Sequence, residues 1–198
     1  MMMKKILWFV AIISVFRLQA QTQGEVQAKM DSFQAWASEK FEIREMNIEE
    51  PNWGALNSSS PDYHLYFQFK SLEKIDNNIE RRAYNHFDVA LYYFSEEEDA
   101  AYALDSWLKS FMEGKTLRKG RPMRAYEYAK PTIVLIDEKY IAILQMKCSD
   151  FFPEEYDNWV SAMEKHLGDF STMTIELNCE GPLAWTKNAP DPKAKRNR

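Results

Sequence analysis

The chain has 198 residues, of which 45% are hydrophobic, and its formal net charge at pH 7 is −5. A chain of this size suits a single domain with one substantial hydrophobic core. Its acidity disfavours nucleic acid as a partner, because an acidic surface repels a phosphate backbone.

Residues 1–20 have the pattern of a secretory signal peptide. Lys4 and Lys5 precede an apolar run over residues 6–16, and a small residue stands where a signal peptidase would cut. This run has about 11 residues, whereas a helix needs about 20 to cross a bilayer, and no later stretch is apolar for long enough. We therefore expect a secreted or periplasmic protein that starts near Gln21 and has no transmembrane segment.

The charge of the mature chain is unevenly distributed. Loss of the leader's three positive charges changes the net charge from −5 to −8. Residues 187–198 carry five Lys or Arg and one Asp, and we expect them to form a disordered basic tail. Removing that net +4 from −8 leaves −12 on residues 21–186, which we expect to form a single α+β domain.

The first predicted element is an amphipathic helix over residues 25–41, which has apolar side chains at helical spacing. Residues 42–61 lack this periodicity and are rich in Pro, Gly, Asn and Ser, which predicts a loop. Residues 63–70 then alternate between apolar and polar side chains, as expected of a strand with one buried face.

A strand over about residues 84–94 and a helix over residues 95–114 come next. Both faces of this strand are largely apolar, which is typical of a central strand. His86 and Asp88 are two residues apart on it and share a face, so they could act as a general-base pair. The alternative is that they form a half-exposed polar edge. The helix is expected to begin at Ser95, with a capping box.

Residues 115–124 form a loop with five cations and no acid. Arg118, Lys119, Arg121 and Arg124 could present a positive surface to an anionic partner such as an acidic protein, a polysaccharide or lipid head groups. The alternative is that these side chains pair with the protein's own acidic surface. Exposed ion pairs of that kind contribute under about 1 kcal/mol each.

A β-hairpin over residues 131–148 is the centre of the predicted fold. Residues 133–136 are a continuous apolar run, and every second residue from Tyr140 to Cys148 is apolar, with a polar turn between the two strands. A helix over residues 153–167 and a last strand over residues 172–179 complete the prediction.

Cys148 and Cys179 each end a predicted strand, and an even number of cysteines in an exported protein allows one disulfide. The predicted strand order separates the two cysteines by one strand, or roughly 9 to 10 Å. A disulfide needs Cα atoms within about 7 Å, so the bond requires the two strand ends to converge.

From residue 84 onward the order of elements is strand, helix, strand, strand, helix, strand, which resembles the ferredoxin-like βαββαβ arrangement. We therefore expect an antiparallel sheet with both of these helices on one face, plus an N-terminal helix and one extra strand. The N-terminal helix could cover the other face of the sheet. A curved antiparallel sheet wrapped on the first helix is the alternative.

These observations favour a non-catalytic binding or interaction module of the cell envelope or extracellular space, whose partner is an unidentified protein or small ligand. The alternative is a small hydrolase or isomerase with a site on the open sheet face near His86 and Asp88. We expect no cofactor, because phosphate-binding and catalytic motifs do not occur. We expect no metal site, because three scattered histidines and two cysteines do not supply a structural zinc site.

Overall fold

The computed structural model describes residues 23–47, 56, 58–76, 82–113, 130–150, 152–179 and 183–189. These residues form an α+β fold, in which helices lie on both faces of a seven-stranded antiparallel sheet. The helices are α1 (residues 23–37), α2 (Glu97–Glu113) and α3 (Pro153–His166). The strands are β1 (Phe41–Glu45), β2 (Tyr63–Ser71), β3 (Ile75–Asp76), β4 (Arg82–Ala83), β5 (His86–Tyr93), β6 (Thr132–Ile136), β7 (Tyr140–Met146), β8 (Met173–Leu177) and β9 (Leu183–Lys187).

The strands of the large sheet lie in the order β1-β2-β5-β7-β6-β8-β9, and every neighbouring pair is antiparallel. The short strands β3 and β4 pair separately with each other. The predicted hairpin is confirmed as β6 and β7, which pair from Ile136 with Ile141 to Thr132 with Gln145. The central position of β5 is also confirmed, because it lies between β2 and β7 and is apolar on both faces.

The ferredoxin-like arrangement is not confirmed. That arrangement would place β8 beside β5, whereas here β8 pairs with β6 along its whole length. The physical reason is that the other edge of β5 is already occupied: β2 pairs with it from Tyr63 opposite Tyr93 to Lys70 opposite His86. The last strand therefore extends the sheet on the β6 side.

The expectation that α2 and α3 share one face is wrong. Both helices connect parallel strands that are separated by one strand, β5 to β6 and β7 to β8, and both connections step across the sheet in the same direction. Their starting strands, however, point in opposite directions. Since such connections are almost always right-handed, the two helices must lie on opposite faces. The side-chain contacts agree with this.

Each face has its own hydrophobic core. One core packs α1 and α3 against the sheet through residues that include Met30, Phe33, Trp159 and Met163. The other packs α2 against the sheet through Ala100, Ala103 and Trp107. The N-terminal helix therefore shares a face with α3, and no face of the sheet is left wholly open.

Three further details differ from the sequence-based expectations. The edge strand β1 lies in the segment that was expected to be a loop, and β9 extends the sheet as far as Lys187. Helix α2 begins at Glu97, and both the backbone N–H and the hydroxyl of Ser95 donate to Asp62 Oδ2, at 2.7 and 2.9 Å. Ser95 thus ties the start of α2 to the start of β2.

Candidate functional site

A buried amide with an unused acceptor marks the candidate site. Asn85 immediately precedes β5 and is 3% exposed. Its backbone is held against the end of β2, because its N–H donates to Ser71 Oγ at 2.9 Å and its carbonyl accepts from the Ser71 N–H at 2.9 Å. No described residue donates a hydrogen bond to Asn85 Oδ1. A buried acceptor without a donor is costly, and it suits a ligand that brings an N–H or O–H group.

Two carboxylates lie beside this amide. Asn85 Nδ2 is 3.5 Å from Oε2 of Glu155, in the first turn of α3. Asp150, at the end of the 3-10 helix after β7, is buried and accepts from the His86 N–H at 3.3 Å and from Ser149 Oγ at 2.9 Å. The segment before β5, the 3-10 helix and the first turn of α3 therefore meet here, and each contributes a side-chain acceptor.

Glu155 lines both a groove and a small cavity. The groove, which we name the Glu155 groove, has a volume of about 320 Å³ and is lined by Glu39, Lys40, Phe41, Ser71, Leu72, Glu73 and Glu155. The cavity measures about 10 Å³, the size of one water molecule, and is lined by Asn85, Phe87, Met146, Asp150, Glu155, Tyr156 and Trp159.

The electrostatics of the site favour a positive ligand. Burial raises the pKa of Glu155, and the negative charge of Asp150 raises it further, while Lys40 and the Asn85 amide only partly offset these effects. A cation beside Glu155 would favour its charged form and so oppose the cost of burial. Glu39 and Glu73 add two more exposed acids to the rim of the groove, against the single cation Lys40.

The basic loop lies outside the described residues. Arg118, Lys119, Arg121 and Arg124 all fall within residues 114–129, so both of its interpretations stay predictions.

The pair His86 and Asp88 lies at the start of β5, on the face toward α2. The shared face agrees with the period-two prediction, and both side chains are half-buried; helix α2 packs on the same face, so this face is not wholly open. Asp88 Oδ1 accepts from Tyr66 Oη at 2.9 Å and from Gln68 Nε2 at 3.4 Å. Neither His86 nor Asp88 lines the Glu155 groove or its cavity.

Cys148 and Cys179 are half-buried thiols in the structure. Cys148 lies in the 3-10 helix after β7, and Cys179 lies two residues after β8. The strand between them is β6, not β5 as expected. Because β7 and β8 are parallel, both cysteines follow the same end of the sheet, where these two strands finish. The disulfide between them stays a prediction.

The described residues contain no cluster of three or more His, Cys, Asp or Glu side chains that could hold a metal ion. Within the same ranges, no helix is both long enough and apolar enough to cross a membrane. Comparisons with known proteins find no family model, curated protein or solved structure that matches this chain.

Sequence reasoning did not identify Asn85, Asp150 or Glu155 as site residues. Asn85 has no motif around it, and its importance depends on the burial of its side chain. Only the pairing of Ser71 with Asn85 and the docking of α3 bring these groups together.

Proposed function

We propose that the protein is an exported, non-catalytic binding module of the cell envelope or extracellular space, and that the Glu155 groove binds a primary ammonium group on an alkyl chain. The observation that carries this proposal is the buried Asn85, whose Oδ1 accepts from no described residue and whose Nδ2 lies 3.5 Å from Glu155 Oε2. A primary ammonium offers three N–H donors and no acceptor, which matches the acceptors Asn85 Oδ1, Asp150 and Glu155.

The size of the site argues for a compact cation. The small cavity that Glu155 lines is as large as one water molecule, which suits an ammonium head and is too small for a planar guanidinium or a quaternary ammonium. Its aromatic lining, Phe87 and Trp159, can also attract a cation through the ring faces. A dehydrated calcium ion needs six to eight oxygen ligands, which is more than Asn85, Asp150 and Glu155 supply.

The groove outside Glu155 suits the alkyl part of such a ligand. Phe41 and the exposed Leu72 give it an apolar wall, and its volume of about 320 Å³ lies at the lower end of small-molecule sites. The ammonium could belong to a free alkylamine or to a lysine side chain of a partner protein. Both present the same chemistry to Glu155.

Export rests on the leader pattern of residues 1–20, which lie outside the described residues. N-terminal sequencing of native protein should find Gln21, or a residue near it, at the start of the mature chain. An intact Met1 would contradict export but would leave the ligand proposal standing.

The hydrolase or isomerase alternative has less support. The carboxylate of Asp88 is already engaged by Tyr66 and Gln68, and a general base needs its oxygen atoms directed at a substrate. If substitution of His86 and Asp88 leaves the affinity for an alkylamine unchanged, the binding module is favoured over the enzyme.

The ligand proposal is tested by calorimetric titration of the mature protein with hexylamine, hexylguanidine and hexanol at pH 7. We expect hexylamine to bind at least about tenfold more tightly than the other two, since a hydrogen bond to a charged group contributes about 1.5–3 kcal/mol. Glu155→Gln should weaken hexylamine binding by about tenfold or more, whereas Glu138→Gln, at the opposite end of the sheet, should not change it. Equal binding of hexanol, or an unaffected Glu155→Gln variant, would refute the proposal.

The two ligand sources are distinguished by a second titration. A short peptide with one lysine is compared with the same peptide carrying acetylated lysine, and both are compared with free hexylamine. Tighter binding of the lysine peptide than of hexylamine identifies a partner protein, whereas the reverse identifies a free amine.

A further inference from the structure

A second groove lies beside α2, at the opposite end of the sheet from Glu155. This α2 groove has a volume of about 220 Å³. Its floor is apolar and consists of Ala100, Ala101, Leu104, Ile136, Ile141 and Met173. Its rim is acidic, with Glu97 from the start of α2 and Asp137 and Glu138 from the turn between β6 and β7.

The acids on this rim are available to a ligand. Glu97 and Glu138 are exposed, and neither forms an ion pair with a described residue. Asp137 is partly engaged, because Oδ1 accepts from the Glu138 N–H at 2.7 Å and Oδ2 accepts from Thr172 Oγ1 at 3.2 Å. The groove therefore combines an apolar floor with two exposed carboxylates that no described residue neutralises.

The last described residues, 188 and 189, lie close to this groove. Asn188 Nδ2 donates to the carbonyls of Phe170 and Thr172, at 2.7 and 3.1 Å. Ser171, which lies between those two residues, lines the groove. Asn188 has a φ of 48°, a left-handed conformation that Asn tolerates and that turns the chain out of β9.

We propose that the α2 groove is the docking site of this chain's own basic C-terminal segment, residues 190–198. The segment carries Lys193, Lys195, Arg196 and Arg198 against a single acid, Asp191, so its charge is complementary to that of the rim. Its nine residues can reach roughly 30 Å when extended, which is more than the groove requires.

The chemistry of the segment also suits an apolar floor with an acidic rim. Long Lys and Arg side chains bury their methylene stems on apolar surface while the charged head stays in water. Pro190 and Pro192 favour an extended chain, which reduces the entropy lost on docking. Because the segment is covalently attached to the domain, its effective concentration at the α2 groove is in the millimolar range. A weak interaction is therefore sufficient for docking.

This inference is independent of the proposed function. Strand β7 runs from Tyr140 near the α2 groove to Met146 near Asn85 and Glu155, a length of roughly 20 Å. The docked segment would compete with any basic peptide for the α2 groove, and it would leave the Glu155 groove open.

Zero-length carbodiimide cross-linking of the full mature chain, read by mass spectrometry, tests the proposal. We expect Lys193 and Lys195 to cross-link to Glu97 and Glu138 in preference to Glu39 and Glu73, which rim the other groove. Cross-linking should be lost in about 1 M salt, because exposed charges are then screened within about 3 Å.

Two variants make the test specific. Glu138→Lys should lower the yield of the cross-link to the unchanged Glu97 several-fold, whereas Glu73→Lys should leave it unchanged, and circular dichroism checks that both variants fold. An even distribution of tail cross-links over both grooves would overturn the proposal, as would a Glu97 yield that is insensitive to Glu138→Lys. Cross-links formed only between chains, in a mixture of isotope-labelled and unlabelled protein, would overturn it as well.

Discussion

The amide nitrogen Nδ2 of Asn85 lies 3.5 Å from Oε2 of Glu155, at the limit of a hydrogen bond, while no described residue donates to Asn85 Oδ1. The Asn85 amide therefore gives the Glu155 carboxylate one long hydrogen bond, while its own acceptor stays unused. Glu155 keeps a pKa above its ordinary value of 4.5 because burial outweighs this support and the charge of Lys40.

The raised pKa of Glu155 predicts a pH-dependent effect of Glu155→Gln on stability. Well below pH 4.5 the carboxyl is protonated in both the folded and the unfolded protein and contributes no charge cost. As the pH rises from the ordinary pKa of 4.5 to the raised folded-state pKa, the unfolded protein loses this proton first, so the free energy of unfolding falls; above that range it stays at the lower value. The melting temperature of Glu155→Gln relative to the unmodified protein should therefore be higher at pH 7 than at pH 3.5. The same difference at both pH values would contradict this.

Asp169 has the opposite effect on stability. Hydrogen bonds from Ser171, and a further one from Thr172, lower its pKa to about 2 from an ordinary value of 3.8. Its stabilising contribution is therefore complete above about pH 4 and is lost as the pH falls toward 2. Urea unfolding of Asp169→Ala and the unmodified protein should show a difference in unfolding free energy that shrinks over this range. Asp169→Asn, which still accepts hydrogen bonds but does not titrate, is the control.

Trp159 is the centre of an aromatic cluster between α1, α3 and the sheet. It is 3% exposed, and its ring centroid is 4.1 Å from that of Phe87, 4.8 Å from that of Trp36 and 5.2 Å from that of Phe41. Trp159→Ala should lower the free energy of unfolding by about 3–5 kcal/mol, because it removes a large buried ring and leaves a cavity.

Phe170→Ala is the matched control for Trp159→Ala. Phe170 is 92% exposed, so its removal should change the free energy of unfolding by less than about 0.5 kcal/mol. Urea denaturation measures both variants. Similar losses in the two would show that the aromatic cluster does not hold α3 on the sheet.

The disulfide between Cys148 and Cys179 is the fourth prediction. Both cysteines lie just beyond the C-terminal ends of β7 and β8, at the end of the sheet where β6 begins. They can therefore approach each other past the first residue of β6. An oxidising compartment would then allow the bond, with a stabilisation of roughly 3–4 kcal/mol. A thiol assay on unfolded, unreduced native protein should find no reactive thiol, and two reactive thiols would refute the disulfide.

Local sequence patterns were sufficient to predict the elements that pack through long apolar runs. The hairpin β6–β7, the central strand β5 and all three helices follow from the period of their apolar residues, because one period places them on a common face. The edge strands β1 and β9 were not predicted. Both are edge strands of only five residues, and β1 carries three charged residues, which resembles loop sequence.

The sequence by itself determined an acidic α+β chain and most of its elements, since composition and periodicity are local properties. Only the tertiary structure decided that β8 pairs with β6, because β2 occupies the edge of β5 and a strand's own pattern does not identify its neighbour. That pairing placed α2 and α3 on opposite faces through the hand of their connections. It is also tertiary packing that buries Asn85 beside Glu155, residues 70 positions apart, so no spacing along the chain could reveal the site.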